Sequence, residues 1–313
     1  MGTPQFAVPS LEMLIGEGYD VAAVVTQPDR PKGRGGRPAP PIVKDIALKA
    51  GIRVFQPEKP SDVQDEITML RADLFITAAY GRILKKKFLR IPRGGVVNVH
   101  ASLLPRHRGP SPIHYALLNG DAKTGVTTML TDAGIDTGPI LLSKKMPIHG
   151  DMYFDELHDK LAALGADVLK KTIPAYLAGE IEPMPQDAGL ASYAPAIQKT
   201  DAELDFNLSA GRLANIVRAF CVWPVASACV GGKKIKIYRA HAGGATENRS
   251  CAPGGDLGVT NGTLGVPGGI AGVSRAALSI YCGGGGTLEV TKLQFENGRV
   301  MDISECWHNL RLS

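Results

Sequence analysis

The chain has 313 residues, 44% of them hydrophobic and 21% charged, a composition that describes a globular protein of about two domains rather than a disordered one. No apolar run approaches the roughly 18 residues a membrane-spanning helix needs, and Met1-Gly2-Thr3-Pro4 lacks the basic and apolar stretches of a secretory leader, so a cytoplasmic location is expected. The formal net charge of +5 does not by itself mark a nucleic-acid binder; the placement of the basic residues has to do that.

From the start to about Glu180, short apolar runs alternate with amphipathic ones. Runs at 21–26, 74–79, 96–99 and 126–130 read as strands buried on both faces, the pattern of a parallel sheet covered by helices. Helices are expected over 9–16, 42–50 and 62–70. A longer one begins near Tyr153, where Phe154, Leu157, Leu161, Leu164, Val168 and Leu169 recur along one face. The Pro-rich stretch 181–203, with Glu182-Pro183-Met184-Pro185 and Tyr193-Ala194-Pro195, reads as a linker between domains 1–180 and 204–313. Beyond it Ser209 is placed to cap a helix whose apolar face is Leu213, Ile216, Val217 and Phe220. Short strands such as 235–238 and 288–290 then alternate with Gly and Pro, which suggests a small all-β barrel, with the four glycines 283–286 as a hairpin tip.

The five cysteines, Cys221, Cys229, Cys251, Cys282 and Cys306, are odd in number and show no Cys-x-x-Cys spacing. They indicate neither a disulfide framework nor a zinc site, and no metal is expected.

In an open α/β sheet, ligands sit beyond the carboxyl ends of the strands. The residues expected there are Gln27-Pro28, Tyr80-Gly81, Asn98-Val99-His100 and the turns from Asp132 to Gly138. Asn98, His100 and Asp136 form a trio suited to acyl transfer. The amide can donate to a carbonyl oxygen, the imidazole can donate a hydrogen bond or proton to an oxyanion, and the carboxylate can orient and charge the imidazole. No serine or cysteine nucleophile is implied. Taken singly, Asn98-Val99-His100 reads equally well as the end of a buried strand, and Asp136-Thr137-Gly138 as an ordinary Asx turn.

Together with Ser102-Leu103-Leu104-Pro105, and with Asp136 following His100 by 36 positions, the trio resembles the active-site signature of the folate-dependent formyltransferases. The resemblance extends over nearly the whole chain. Gly2-Thr3-Pro4-Gln5-Phe6-Ala7 resembles the family's first strand-to-helix turn, and Thr26-Gln27-Pro28-Asp29-Arg30-Pro31 with Gly33-Arg34-Gly35 resembles the basic loop of its tRNA-acting branch. Tyr193-Ala194-Pro195 and Arg218-Ala219-Phe220 resemble that branch's linker and the opening of its C-terminal domain.

The fold implied is a Rossmann-like α/β domain followed by an OB-like barrel. The family places a hydrophobic strand ahead of Gly2-Thr3-Pro4, in the middle of the sheet, so a split ladder is expected here. The implied reaction moves a formyl group from 10-formyltetrahydrofolate to the α-amine of initiator methionyl-tRNA. Asn98, His100 and Asp136 would be catalytic, and Tyr80, Gly81, Ser102, Leu103, Leu104 and Pro105 would hold the folate. Arg30, Lys32, Arg34 and Arg37 in the loop 27–41 would meet tRNA, with Lys234 and Lys236, beside Lys233 and Arg239, on a barrel strand. A monomer without membrane attachment is expected. Two other readings stand beside this one: a formyltransferase acting on a small amine, such as an amino sugar nucleotide or glycinamide ribonucleotide, and a tRNA-binding protein with an inactive catalytic domain.

Overall fold

A computed structural model describes residues 1–32, 37–244 and 265–310. They fall into two units: 1–113 with 122–148 and 156–196, and 114–121 with 149–155 and 197 onward. The first contains α1 (Val8–Gly16), β1 (Val24–Val25), β2 (Arg30–Lys32), β3 (Arg37–Ala39), α2 (Ile42–Lys49), β4 (Val54–Phe55), α3 (Gln64–Met69), β5 (Phe75–Ala78), α4 (Lys86–Leu89), β6 (Val96–His100), the start of α5 (Pro112–Leu118), β7 (Lys123–Leu130), β8 (Ile140–Pro147) and most of α6 (Phe154–Leu177). The second contains α7 (Ala210–Ala219), β9 (Ala226–Val230), β10 (Lys233–Ala242), β11 (Ile270–Val273), β12 (Leu278–Tyr281), β13 (Thr287–Phe295), β14 (Val300–Asp302) and α8 (Ile303–Cys306). None of the described helices is long and apolar enough to cross a membrane.

The parallel pairing expected from the apolar runs holds for β1 with β4 and for β5 with β6. Beyond β6 the sheet turns mixed, because β7 runs antiparallel to β6 and β8 antiparallel to β7. A strand buried on both faces has the same residue pattern in either direction, so periodicity does not reveal this. Above β6 lies α6, whose stripe of Leu157, Leu161, Val168 and Leu169 is buried, each such leucine contributing roughly 1.5–3 kcal/mol. At Gly165 the helix approaches β6 so closely that an added Cβ would stand 2.8 Å from a Val99 methyl. Thr172 fixes the register by meeting the Thr128 hydroxyl of β7 at 2.8 Å.

The ladder is divided as expected, since β1 and β5 belong to separate sheets. Met1 and Gly2 join them only at their carboxyl ends: the Gly2 N–H donates to Val25 O at 3.1 Å and the Ala78 N–H to Met1 O at 3.0 Å. A cavity of about 370 Å³ lies between the two sheets, lined by Val21 to Val25, Leu74 to Ile76 and, from α1, Leu11 and Leu14.

In the second unit Ser209 caps α7 by accepting from the Arg212 N–H at 3.4 Å, as its sequence position predicts. Two arginines of α7 then hold the segments that join this unit from earlier in the chain. Arg212 donates to Leu118 O, and the buried Arg218 donates to the carbonyls of His149 at 3.3 Å and Met152 at 3.2 Å. Burial lowers the pKa of the Arg218 guanidinium from its usual value. The strands form one antiparallel sheet in the order β11-β12-β13-β10-β9, with β14 also on β13. The expected barrel is not closed among the described residues. β13 pairs β12 through 287–290 and β14 through 292–294, so the sheet branches at that strand while β9 and β11 remain its ends. Tyr281 pairs with Thr287, which makes 283–286 the hairpin tip that was expected.

Candidate active site

Asn98 and His100 alternate with the buried Val97 and Val99 on β6, so both project from the same face of the sheet near its carboxyl end. Thr77, opposite Asn98 on β5, donates its hydroxyl to Asn98 Oδ1 at 2.8 Å. That bond fixes the amide rotamer and leaves Asn98 Nδ2 as a donor with no hydrogen-bond partner among the described residues.

His100 is buried, with 6% of its side chain exposed. Its Nε2 meets the His107 carbonyl at 3.0 Å; a carbonyl only accepts, so Nε2 carries the proton. Its Nδ1 faces Asp136 Oδ2 at 3.6 Å. The same carboxylate oxygen accepts from the Gly109 N–H at 2.8 Å, an ion-to-amide bond of the stronger kind.

Asp136 sits in the left-handed region at φ +51°, and the reason lies in a residue that sequence reasoning missed. Gln186 donates to the carbonyls of Asp136 at 2.9 Å and Gly138 at 2.7 Å. Its own carbonyl accepts from the buried Arg108 at 3.0 and 2.8 Å. The stretch expected to be a linker is therefore anchored along the first unit as far as Ala194: Arg108 N–H donates to Ser192 O at 2.8 Å and Ala194 N–H to Arg108 O at 2.7 Å. Gly109, at φ +114°, allows this approach, because a Cβ there would stand 2.7 Å from Ala194 O.

On the neighbouring strand ends, Gln27 Nε2 and Thr3 Oγ both donate to Tyr80 O, at 3.0 and 3.3 Å. Tyr80 is buried, and its hydroxyl has no hydrogen-bond partner among the described residues, nor has Nε of the following Arg82. Burial pushes the Tyr80 phenol above its ordinary pKa. Gly81 and Ile83 are exposed on that turn, and Ile135 is exposed next to Asp136.

The other folate candidates divide by environment. Ser102 is fully buried and donates its hydroxyl to Arg106 O at 2.6 Å; Leu104 packs with Met129 and Ile140. Leu103 and Pro105 are half-buried. The side chains of Ser102, Leu104 and Tyr80 are thus spent inside the protein, and Thr127 Oγ1 ties down the loop backbone as well, accepting from the Leu104 N–H at 3.1 Å and donating to Ser102 O at 2.7 Å.

Of the basic candidates, Arg30 is exposed and pairs with Glu58 at 3.1 Å. Lys32 and Arg37 are paired in register on β2 and β3, and Arg34 lies outside the described residues. The root of this loop is held by Asp29, which accepts from Gln56 at 2.6 Å and Lys44 at 2.9 Å; the Gln56 bond, then Lys44, holds its carboxyl below the usual range. On β10, Lys234 and Lys236 are exposed while Ile235 and Ile237 are buried. Arg239, by contrast, lies over the Tyr153 ring at 4.1 Å and pairs with Asp155 at 2.9 Å, which commits it to the packing of its own unit. Among the described residues no group of three His, Cys, Asp or Glu side chains is placed to hold a metal.

A donor amide beside a histidine–carboxylate pair is an arrangement suited to transfer of a small acyl group to an external nucleophile. The family models agree: residues 1–173 match the formyl transferase model and 196–311 the formyl transferase C-terminal domain. The chain belongs to the formyl transferase family. Its relatives within that family are methionyl-tRNA formyltransferases. The one from Acetivibrio thermocellus is 44% identical over 99% of this chain and 96% of its own, and the one from Geobacter sulfurreducens is 41% identical over 100% and 93%. Among solved structures, an N-formyltransferase from Helicobacter canadensis, in complex with folinic acid and dTDP-3-aminofucose, superposes with a TM-score of 0.66 at 20% identity over 92% of this chain and 96% of that one. HypX from Aquifex aeolicus, in complex with tetrahydrofolic acid, superposes with a TM-score of 0.59 at 16% identity over 84% and 44%. At those identities the two structures speak for the fold.

Proposed function

We propose that this chain transfers the formyl group of 10-formyltetrahydrofolate to the α-amine of initiator methionyl-tRNA, as a cytoplasmic monomer. The observation that carries the chemistry is the Asn98 amide, held by Thr77 at 2.8 Å with its Nδ2 open, beside the His100–Asp136 contact of 3.6 Å. The relatives' names carry the acceptor.

The acceptor amine is its own nucleophile. A free α-amine titrates near pH 8, so a useful neutral fraction exists without a strong base. As it bonds to the formyl carbon, charge gathers on the formyl oxygen, and Asn98 Nδ2 is the donor placed for it. His100 gives a second donor once its Nε2–H leaves the His107 carbonyl, and Asp136 keeps the ring facing that way. The C–N bond to the folate breaks, the amine loses a proton, and the folate nitrogen gains one.

The rim fits such a donor. The exposed Gly81 and Ile83 border a turn at which Arg82 Nε has no hydrogen-bond partner among the described residues, and Ser102-Leu103-Leu104-Pro105 presents the half-buried Leu103 and Pro105. When bound, the folate supplies the activated one-carbon unit. We assign 1–180 to catalysis and 204–313, read as an OB-like barrel, to tRNA docking through Lys234 and Lys236; Arg30, Lys32, Arg34 and Arg37 would meet the acceptor end.

The test is formyl transfer by the purified chain to charged initiator tRNA and, in parallel, to an amino sugar nucleotide. Transfer to the tRNA alone supports the reading. Transfer to the sugar nucleotide alone transfers the assignment to a small-amine enzyme.

A further inference from the structure

The segment from Arg82 to Arg93 carries six cations, Arg82, Lys85, Lys86, Lys87, Arg90 and Arg93, and no acidic residue. Since the formal net charge of the whole chain is only +5, the other residues together are close to neutral, and this one short stretch holds a concentrated positive charge. The fold fixes it to the first unit. Leu84 and Phe88, one helical turn apart, are buried in a cluster with Phe55, Phe75 and Tyr80, and Phe88 meets the Phe75 ring at 5.7 Å. With those two side chains turned inward, Lys85, Lys86, Lys87, Arg90 and Arg93 are all exposed.

None of these five cations forms an ion pair among the described residues. Elsewhere pairing is common, as in Lys44 with Asp29, Lys160 with Glu156 and Lys170 with Glu17. Self-repulsion of unneutralised like charges is a cost that an anionic partner removes. The strip is also continuous with the hairpin beside the active-site rim, because Glu58 pairs with Arg30 at 3.1 Å and with Arg82 at 3.5 Å. Arg82 follows the Tyr80–Gly81 turn directly.

We propose that the Arg82–Arg93 strip is a track for the phosphate backbone of the tRNA substrate, extending the contact surface from the catalytic rim along the first unit. This rests on the tRNA reading above. A lipid surface fits less well, because the apolar side chains of α4 are spent in the core and Ile83 alone of the strip's large apolar side chains is exposed, which is far short of an apolar helix face to insert.

The experiment compares the full chain with K85Q/K86Q/K87Q, with the separate variant R90Q/R93Q and with the charge-retaining K85R/K86R/K87R. It measures KM and Kd for charged initiator tRNA between about 50 and 200 mM salt, and binding to vesicles of phosphatidylserine and phosphatidylcholine. Each lysine on a phosphate contributes roughly 0.7–0.9 to the slope of log K against log salt. The triple Gln variant should therefore raise KM by about tenfold or more, flatten that slope by roughly 2, and keep kcat and the thermal midpoint, while the Arg variant behaves as the wild type. R90Q/R93Q should shift both in the same direction. Equal KM and slope in both Gln variants and the wild type would overturn the track while leaving the tRNA reading intact. Failure of the wild type to bind tRNA would overturn the reading beneath it, and charge-dependent vesicle binding without a change in tRNA affinity would reassign the strip to a membrane.

Discussion

Three side chains at the site do little without the residues that aim them. Asn98 is useful as a donor because Thr77 occupies its carbonyl oxygen, and His100 is turned by a hydrogen bond from Nε2 to the His107 carbonyl and by the Asp136 carboxylate that its Nδ1 faces. Asp136 in turn depends on Gln186, which holds the backbone on either side of the left-handed turn. Replacing Gln186 by Ala is expected to slow transfer by about 10- to 100-fold, the usual consequence of moving a catalytic group by around 1 Å, with tRNA affinity unchanged. Steady-state kinetics and a filter-binding Kd check it; equal loss in both would make Gln186 a general stabiliser. The candidate trio could be picked out in the sequence because three chemical types stood at strand ends and in a tight turn. Thr77, Arg108 and Gln186 were not, because their partners are carbonyls and amides brought from 20 to 80 positions away, and an alternating pattern carries no record of such pairings.

At the scale of elements, the loop that bears Arg30 depends on its root. Asp29 is held by Gln56 and Lys44, and its carboxyl lies below the ordinary value near 4. A carboxylate whose folded pKa is depressed gives a contribution that is complete above its unfolded value and is lost as the pH falls through the folded one. Followed by carboxyl-carbon NMR, Asp29 should titrate below about 3.9 in the wild type and move toward that value in Gln56→Ala; a wild-type midpoint at or above it would mean the anchor does not form in solution. Helix positions were legible to within a few residues because Leu157, Leu161 and Val168 recur at helical spacing and Ser209 stands at a cap. Strand direction was not, since the residues of β7 would be buried in either orientation, and the anchoring of 181–194 was hidden because its bonds to Arg108 come partly from backbone atoms that any sequence carries and partly from the distant Gln186 side chain.

At the scale of the whole molecule, the units are built from interleaved segments, and 114–121 and 149–155 join the second one. Arg218 is one of the residues that hold 149–155 there, with donors on the buried Met152 carbonyl, on that of the exposed His149 and on Asn215 at 2.6 Å. Arg218→Ala should cost roughly 1–3 kcal/mol, chiefly through the buried Met152 carbonyl it leaves unpaired, read as a fall in the urea midpoint, while the transfer rate of the protein that remains folded is kept. A single boundary near residue 180 was all that a Pro-rich stretch could signal. The insertions escaped notice because neither is marked by composition.

The account turns on the claim that an open amide donor at the end of β6, rather than an enzyme nucleophile, carries the transfer. The measurement that tests it most directly is the single-turnover rate of formyl transfer to charged initiator tRNA for the wild type and Asn98→Ala at saturating tRNA. Removing one such donor should lower the rate by about 10²- to 10³-fold with tRNA binding and the thermal midpoint retained. An Asn98→Ala rate within a few-fold of the wild type would contradict the account.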